Sequence, residues 1–510
     1  MKSLFKTVAL ITIFSFLTRL AGFIFRIILS REVGAEGVGL YQVAFSVFMV
    51  LLTVLSSGIP LIISRMTSAY SASKDKKRES SLVAVALIYT LAISIFLCLI
   101  VLIFRSVFTS IFTDARCFQI LISLLPALVF SSVYCVLRGA MWGKGNYFAL
   151  CITEFYEQIV RIVVAVLMIS SSLTAIENAL NLGWSMSIAC LFSMIFVIIL
   201  FFYYDGKLGK LKKEYFKPLV KQSTPITLMR VAGSFIQPLI ALIVPARLMT
   251  IGYTSSQALS MYGVAVGMTL PLLFITTSII GSLSTALVPD MSRAKAQNDN
   301  DHINERIKKS IMFALLISAL FVPIFLGMGE IIGVFLYDDI LSGTLLQSAC
   351  WIVIPLGLTN ISSALLNSLG YESKSFINFI IGAIFMFAAL WILPTIFGIN
   401  AVIWAMGIDY TITAVLNILL LKKKTSAHLK LAPLLIKIIL LLIPISALTA
   451  FATSLSSFVF PAFITILIGA AVSISSSLLL ANVFNIFDFK TIVMYAKSKF
   501  KPKAKIKAKT

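Results

Sequence analysis

Residues 181–204 read Asn181-Leu182-Gly183-Trp184-Ser185-Met186-Ser187-Ile188-Ala189-Cys190-Leu191-Phe192-Ser193-Met194-Ile195-Phe196-Val197-Ile198-Ile199-Leu200-Phe201-Phe202-Tyr203-Tyr204. No charged side chain interrupts the run, and Asp205 and a series of lysines follow it. A helix rises ~1.5 Å per residue, so ~20 apolar residues cross the ~30 Å hydrocarbon core of a bilayer. The run is long enough to span a membrane. A barrel strand would alternate apolar and polar residues with period two, and this stretch does not.

Thirteen further stretches share this character: 4–29, 38–63, 81–104, 118–140, 149–171, 223–249, 259–288, 309–336, 344–368, 375–397, 399–421, 434–453 and 460–484. The chain of 510 residues is 59% apolar and only 12% charged, against roughly 25% charged in soluble domains. The sequence therefore predicts an all-α, polytopic membrane protein with fourteen transmembrane helices. Met1-Lys2 followed by an apolar run suits a signal peptide, but Arg19 and Arg26 interrupt that run and no small-x-small site follows, so the first stretch reads as a retained span.

The net charge of +22 does not point to nucleic acid, because its distribution is topological. With the N-terminus inside, most Lys and Arg residues fall in predicted cytoplasmic segments. These are Lys2 and Lys6, the 64–80 loop, Lys144, the 205–222 loop, Arg293 to Lys309, Lys374, Lys422 to Lys430, and the tail from Lys490 to Lys509. Arg31, Arg105 and Arg116 fall outside. This is the positive-inside bias, and it places both termini in the cytoplasm. The basic loops also divide the chain into an N-lobe of spans one to six (1–205), a C-lobe of spans seven to twelve (206–424), spans thirteen and fourteen (425–485) and a basic tail (486–510). Two similar halves are a common transporter plan, with the substrate between them. The polybasic tail is suited either to anionic membrane lipids, at about 1 kcal/mol per basic residue, or to fixing topology alone.

Charges within spans are costly and mark cavities or partners. Arg19 and Arg26 lie two turns apart on one face of span one. Arg230 and Arg247 lie in span seven, and Asp409 lies in span twelve. Glu157 and Arg161 are spaced i, i+4 in span five and can pair, as a structural pair or as a gate. Arginine recognises carboxylate and phosphate bidentately, so Arg19, Arg26 and Arg230 are read as a cationic substrate cavity, with burial in structural ion pairs as the alternative. Pro225, Pro238 and Pro245, with Gly233, predict kinks in span seven. Gly263, Gly267, Pro271 and Gly281 mark span eight.

Catalysis finds no machinery. His302 and His428 fall in predicted cytoplasmic loops, and no G-x-S-x-G, H-E-x-x-H or Walker A pattern occurs. No resident cofactor or metal site is expected. The six cysteines have neither C-x-x-C nor zinc spacing.

The run Thr18-Arg19-Leu20-Ala21-Gly22-Phe23-Ile24-Phe25-Arg26-Ile27-Ile28-Leu29-Ser30-Arg31, continued by Val33-Gly34-Ala35-Glu36-Gly37-Val38-Gly39-Leu40-Tyr41-Gln42, resembles the opening of the stage V sporulation protein B family. Ser57-Gly58-Ile59-Pro60-Leu61-Ile62-Ile63-Ser64, Glu157-Gln158-Ile159-Val160-Arg161, Ser284-Thr285-Ala286-Leu287-Val288-Pro289 and Asn367-Ser368-Leu369-Gly370 agree. That family belongs to the polysaccharide-transporter branch of the multidrug/oligosaccharidyl-lipid/polysaccharide exporter superfamily. The resemblance implies a flippase for undecaprenyl-pyrophosphate-linked sugars such as lipid II, working by alternating access in the bacterial cell membrane, with a role in cell-wall synthesis or sporulation. It also implies a lipid-tail groove at spans thirteen and fourteen, and it places Arg19 on the family's cavity arginine. Where the lipid II flippases have Gly-Phe-x-Arg-Asp, this chain has Gly22-Phe23-Ile24-Phe25-Arg26, with the second arginine one place later and no acid.

Two rivals remain: a cation-coupled multidrug exporter of the same superfamily, and a non-transporting scaffold for cell-wall synthases. Coupling to Na+, H+ or the membrane potential is expected, with Asp409 as the candidate ion site. Cysteines introduced in 205–222 should be labelled from the cytoplasm and those in 250–258 from outside. Labelling of Lys503→Cys from outside would overturn this topology.

Overall fold

The computed structural model describes residues 2–297, 299–425 and 431–483. They form helices joined by short turns, and no strand occurs among them. In chain order these are α1 (Lys2–Ser56), α2 (Gly58–Ala72), α3 (Lys76–Ile103), α4 (Arg105–Ile111), α5 (Arg116–Gly143), α6 (Tyr147–Met168), α7 (Ala175–Tyr203), α8 (Phe216–Ser234), α9 (Ile236–Met249) and α10 (Ser255–Tyr262). Then follow α11 (Leu270–Ala296), α12 (Asn300–Tyr337), α13 (Ile340–Ala349), α14 (Val353–Ser368), α15 (Glu372–Ile392), α16 (Pro394–Phe397), α17 (Asn400–Lys424), α18 (Leu431–Ser457) and α19 (Ala462–Val483). The basic tail and His428 lie outside the described residues.

Twelve helical stretches among the described residues are long and apolar enough to cross a membrane, and the chain is a multi-pass membrane protein. One stretch, Ile13–Ala72, runs for 60 residues, about 90 Å at ~1.5 Å each and three bilayer thicknesses. Two helices meet inside it at Gly34, whose φ of 72° and ψ of 169° are non-helical. Only glycine takes such a conformation at little cost. The loop that the sequence predicts between the first two spans is thus reduced to a kink. The helix α6 has a span's length, with Glu154, Glu157 and Arg161 along it.

The chain forms two compact units. One comprises Met1–Pro271 with Phe387–Val402. Its core is α5, which packs on α1, α2, α3 and α7. Pro126 lies inside α5 and has no N–H to give. At the next residue, the Ser187 hydroxyl of α7 enters the helical ladder: it accepts from the Ala127 N–H at 3.3 Å and donates to the Ser123 carbonyl at 2.6 Å. Beside it the backbone of Gly183 comes so close to α5 that a Cβ there would stand 1.8 Å from Ser123 Oγ. A second close approach joins the 35–42 segment of α1 to the start of span eight. A Cβ on Gly39 would meet the Leu259 carbonyl at 2.0 Å, and one on Gly263 would meet that of Ala35 at 2.2 Å. Lipid tails are as apolar as leucine, so helices in a membrane associate through such small-residue contacts.

Prolines set the breaks in this unit. The helix is interrupted at Phe235, between α8 and α9, where Pro238 cannot donate to Ser234. Pro225 lies inside α8 and Pro245 inside α9. Residues Gly263–Thr269 widen into a π-helix just before Pro271, which leaves the Gly267 carbonyl without its usual donor.

The other unit comprises Leu272–Met386 with Ile403–Thr510. Its described part centres on α12, against which α13, α14, α18 and α19 pack. The small residues Gly469, Ser473 and Ser477 of α19 turn to α12: Ser473 and Ser477 donate to the Leu320 and Ala319 carbonyls, and a Cβ on Gly469 would meet Met328 Sδ at 2.7 Å.

Replacing Gly183 by valine should destabilise the protein by about 1–3 kcal/mol through overpacking, read by chemical denaturation in detergent. The Ser123→Gly change in the same chain should restore part of the loss. An unchanged unfolding midpoint for Gly183→Val would show that the α5–α7 contact tolerates a side chain.

Candidate functional site

The first compact unit places its charges at three depths. At the end that the charge pattern assigns to the outside, Arg116 at the start of α5 bonds Glu36 and Asp114, both at 2.8 Å. Asp114 also accepts from Ser255 at the start of α10, at 2.8 Å. One guanidinium and two carboxylates thus tie three segments together at this end. At middle depth, Arg161 bonds Glu157 one turn earlier on α6. Towards the other end, Arg138 of α5 bonds Glu154 of α6, and Lys144 bonds Glu79 of α3 at 2.8 Å.

The middle pair has polar neighbours on α1. Tyr41 of α1 lies within electrostatic reach of Arg161 and Arg26. Gln158 comes up against Gly22 of α1, where a Cβ would stand 3.4 Å from its Nε2. The helix α6 therefore turns Glu154, Glu157, Gln158 and Arg161 towards α1 and α5.

Arg19 and Arg26 are exposed on α1, as are Ile13, Phe16, Leu17, Leu20 and Ile24. At 3.6 residues per turn the apolar five form one stripe, and the two arginines lie roughly a third of a turn away from it. The helix presents an exposed apolar stripe on one face and exposed arginines on another. Arg19 makes no ion pair or hydrogen bond among the described residues. Arg230 is exposed on α8 and likewise has no partner among them. It shares a helix face with Ser223 and Thr227, which abut Gly58 of α2, and α8 packs on both α1 and α2. All three arginines therefore belong to one compact unit, on helices in mutual contact. Arg247 of span seven stacks over Trp391 at 4.9 Å.

In the second unit, Asp409 of α17 is buried, accepts from Thr413 at 3.2 Å and has no cation within 4 Å among the described residues. The backbone of Gly382 approaches it so closely that a Cβ would stand 2.3 Å from its Oδ1. One turn beyond Thr413, Asn417 donates to Ser362 and Ser363 at 3.3 and 2.9 Å and accepts from Asn378 at 2.9 Å. No cluster of three metal-ligating side chains occurs among the described residues.

Sequence reading missed Arg138 and the Asn417 network. The signal for Arg138 was present, as an arginine within the apolar stretch of α5, but its partner lies 16 residues away across a turn. Asn417 carries no charge and gives no signal by composition.

The profile of the polysaccharide biosynthesis protein family matches residues 4–295, and the MatE profile matches residues 234–392. Stage V sporulation protein B of Bacillus subtilis (strain 168) is 27% identical over 394 residues, 74% of this chain and 75% of that one. The uncharacterized membrane protein YabM of the same organism is 25% identical, over 88% and 85%. Among solved structures, the lipid II flippase MurJ in an inward closed conformation superposes with a TM-score of 0.72 at 15% identity, over 93% of this chain and 98% of that one. An inward-facing multidrug resistance MATE family transporter of the MOP superfamily gives 0.68 at 16% identity, over 80% and 94%.

The outer cluster yields a pH prediction. Partial burial pushes the Asp114 carboxyl up, but its bonds to Arg116 and Ser255 outweigh burial and hold it below the usual carboxylate range. A depressed folded-state pKa contributes stability that is complete above the unfolded value of ~3.9 and is lost as pH falls through the folded one. Asp114→Asn should cost about 1–3 kcal/mol at neutral pH. Thermal melts should show this gap to be constant above about pH 5 and to shrink below about pH 4. A gap that persists unchanged into acid would show that the carboxylate charge is not what ties the segments.

Proposed function

Because the chain belongs to the polysaccharide biosynthesis protein family, in the branch of the multidrug/oligosaccharidyl-lipid/polysaccharide exporter superfamily that is like stage V sporulation protein B and MurJ, we propose that it is a flippase. It carries undecaprenyl-pyrophosphate-linked sugars, lipid II or a related glycan, from the cytoplasmic to the outer leaflet. It acts as a transporter, not as an enzyme. The observation that carries this reading is Arg19, exposed and without a partner among the described residues, away from the apolar stripe of α1, with Arg26 two turns on.

The sugar-diphosphate head must pass ~30 Å of hydrocarbon, and a cavity lined by arginine replaces the water it loses. Arg19, Arg26 and Arg230 bind the diphosphate, where guanidinium geometry permits two-pronged contact. The polyprenyl tail stays in lipid, along a groove by α18 and α19. Fourteen crossings support this plan, counting the two halves of the kinked α1–α2 stretch and the charged α6. Both termini then lie in the cytoplasm of a bacterial cell, and the basic tail meets anionic lipid there. In this reading residues 1–205 and 206–424 are the two lobes. The breaks at Pro238 and Pro271 give span seven and span eight places to bend. The buried Asp409, with no cationic partner among the described residues, takes Na+ or H+ as the coupling ion, and Glu157 with Arg161 opens or holds the first lobe. Cell-wall synthases consume the delivered sugar.

The MatE match over residues 234–392 favours a second reading, a cation-coupled exporter of organic cations. Uptake of an organic cation into vesicles separates the two.

The test is a leaflet-specific assay of labelled lipid II, with membrane abundance measured for the same variants. Arg19→Ala should abolish flipping while the protein accumulates normally. Arg19→Lys should keep part of the activity, since lysine supplies the charge without the fork. Parallel loss of protein and activity would instead mark a structural ion pair, whose disruption costs about 3–5 kcal/mol. Full activity in Arg19→Ala would end the proposal.

A further inference from the structure

Two adjoining cavities in the first compact unit share an aromatic wall. One, of about 390 Å³, lies among α1, α2, α5 and α6 and is lined by Phe14, Thr18, Arg138, Trp142, Tyr147 and Glu154, among others. The second, of about 420 Å³, is lined by the same Trp142 and Tyr147 together with Arg65. Each lies within the ~300–1,000 Å³ range of small-ligand sites. Trp142 and Tyr147 are 42% and 39% exposed, so their rings are open to whatever fills the two spaces. Phe14 is fixed by edge contacts to Phe148 and Phe155, at 6.1 and 5.9 Å.

The polar groups of the first cavity come as a donor and an acceptor side by side. Arg138 bonds Glu154 through Nη2, and its Nε is buried with no acceptor among the described residues. A buried donor left unpaired costs about 1–3 kcal/mol, and a ligand oxygen would relieve it. Glu154 is exposed and retains acceptor capacity beyond the one bond. A pyranose ring answers each of these features. Its C–H face is apolar and flat enough to lie on an indole or phenol ring, and its rim of hydroxyls both donates and accepts. Diphosphate does not, because it offers no apolar face and would be repelled by Glu154.

We infer that these cavities form a glycan-head subsite, in which Trp142 and Tyr147 stack a sugar and Arg138 with Glu154 reads its hydroxyls. The inference rests on the flippase reading and adds where the sugar goes, separately from the diphosphate at Arg19. Thr18 lines the first cavity and precedes Arg19 in the chain, so the two subsites share one turn of α1. The second cavity, beyond the shared rings, takes the next sugar unit.

The experiment uses the full chain in nanodiscs and three probes. These are a methyl N-acetylhexosaminide, a short prenyl diphosphate, and the same prenyl diphosphate bearing one N-acetylhexosamine. Saturation-transfer NMR reads the free sugar, and equilibrium binding reads the other two. The sugar-bearing lipid should bind wild type at least tenfold more tightly than the bare one. Trp142→Ala should erase that difference and leave the bare prenyl diphosphate unchanged. Trp142→Phe, which keeps a ring, should retain part of it. Arg19→Ala should weaken both lipids alike. Equal binding of the two lipids by wild type, or equal weakening of both by Trp142→Ala, would overturn the sugar subsite and leave the flippase reading standing. Absence of binding by both lipids, with saturation transfer from the methyl sugar that Trp142→Ala abolishes, would uphold the sugar site and remove the flippase reading. Absence of all three signals would overturn both.

Discussion

A guanidinium cannot rest bare among lipid tails. Even the lowest scales charge about 2.5–3.5 kcal/mol for an arginine at the centre of a span, and a single helix offers it no partner. The first compact unit meets this constraint in two ways. Arg138 and Arg161 are answered by Glu154 and Glu157, all but Arg138 contributed by one helix, so α6 has to pack with its charged face turned to α1 and α5. Arg19 is answered by no acid among the described residues, and it is exposed. Its position roughly a third of a turn from the apolar stripe of α1 accords with that constraint. The same rule fixes which face of each helix meets protein, which meets lipid and which meets solvent.

Backbone close packing follows from a second absence. With no water to squeeze out from between helices, affinity must come from contact area and from hydrogen bonds. Gly39 against Leu259 and Gly263 against Ala35 bring two backbones into contact, and Ser187 enters the ladder of α5 next to Pro126. In α19 the glycine and serines are turned to α12 in the same way, so their small size serves helix packing.

The spans were legible because each is a continuous apolar run, and a run of that length has one plausible use. The ends were less so. The turn at Gly34 spans a single residue, too short for polarity to mark, and only the φ of the glycine identifies it. The break at Phe235 was readable in kind from Pro238 but not in position, since the proline interrupts the bond four residues before it. Glu157 and Arg161 were readable as a pair because helix geometry sets the i, i+4 distance. Arg138 and Glu154 were not, because their meeting depends on how α5 and α6 lie against each other, and sequence spacing is silent on that. Arg230 was legible as an anomalous charge, whereas its membership of the same compact unit as Arg19 comes from tertiary packing alone.

The balance of these charges bears on the cargo. If every intramembrane arginine had an acid, the unit would be electrically neutral inside and indifferent to the sign of what it carries. Two of them do have one. Arg19 and Arg230 do not, among the described residues, and neither is buried where its charge could be masked. An organic cation entering beside them would meet like charge and be repelled. A diphosphate would meet the opposite sign and donors that fit its oxygens. The paired arginine, Arg138, suits a different task, because a guanidinium already neutralised by Glu154 can give hydrogen bonds without selecting for charge. On the proposed reading, one helical bundle thus holds two kinds of arginine, one that attracts an anion and one that reads neutral hydroxyls. A lipid-linked sugar is a molecule that carries both groups.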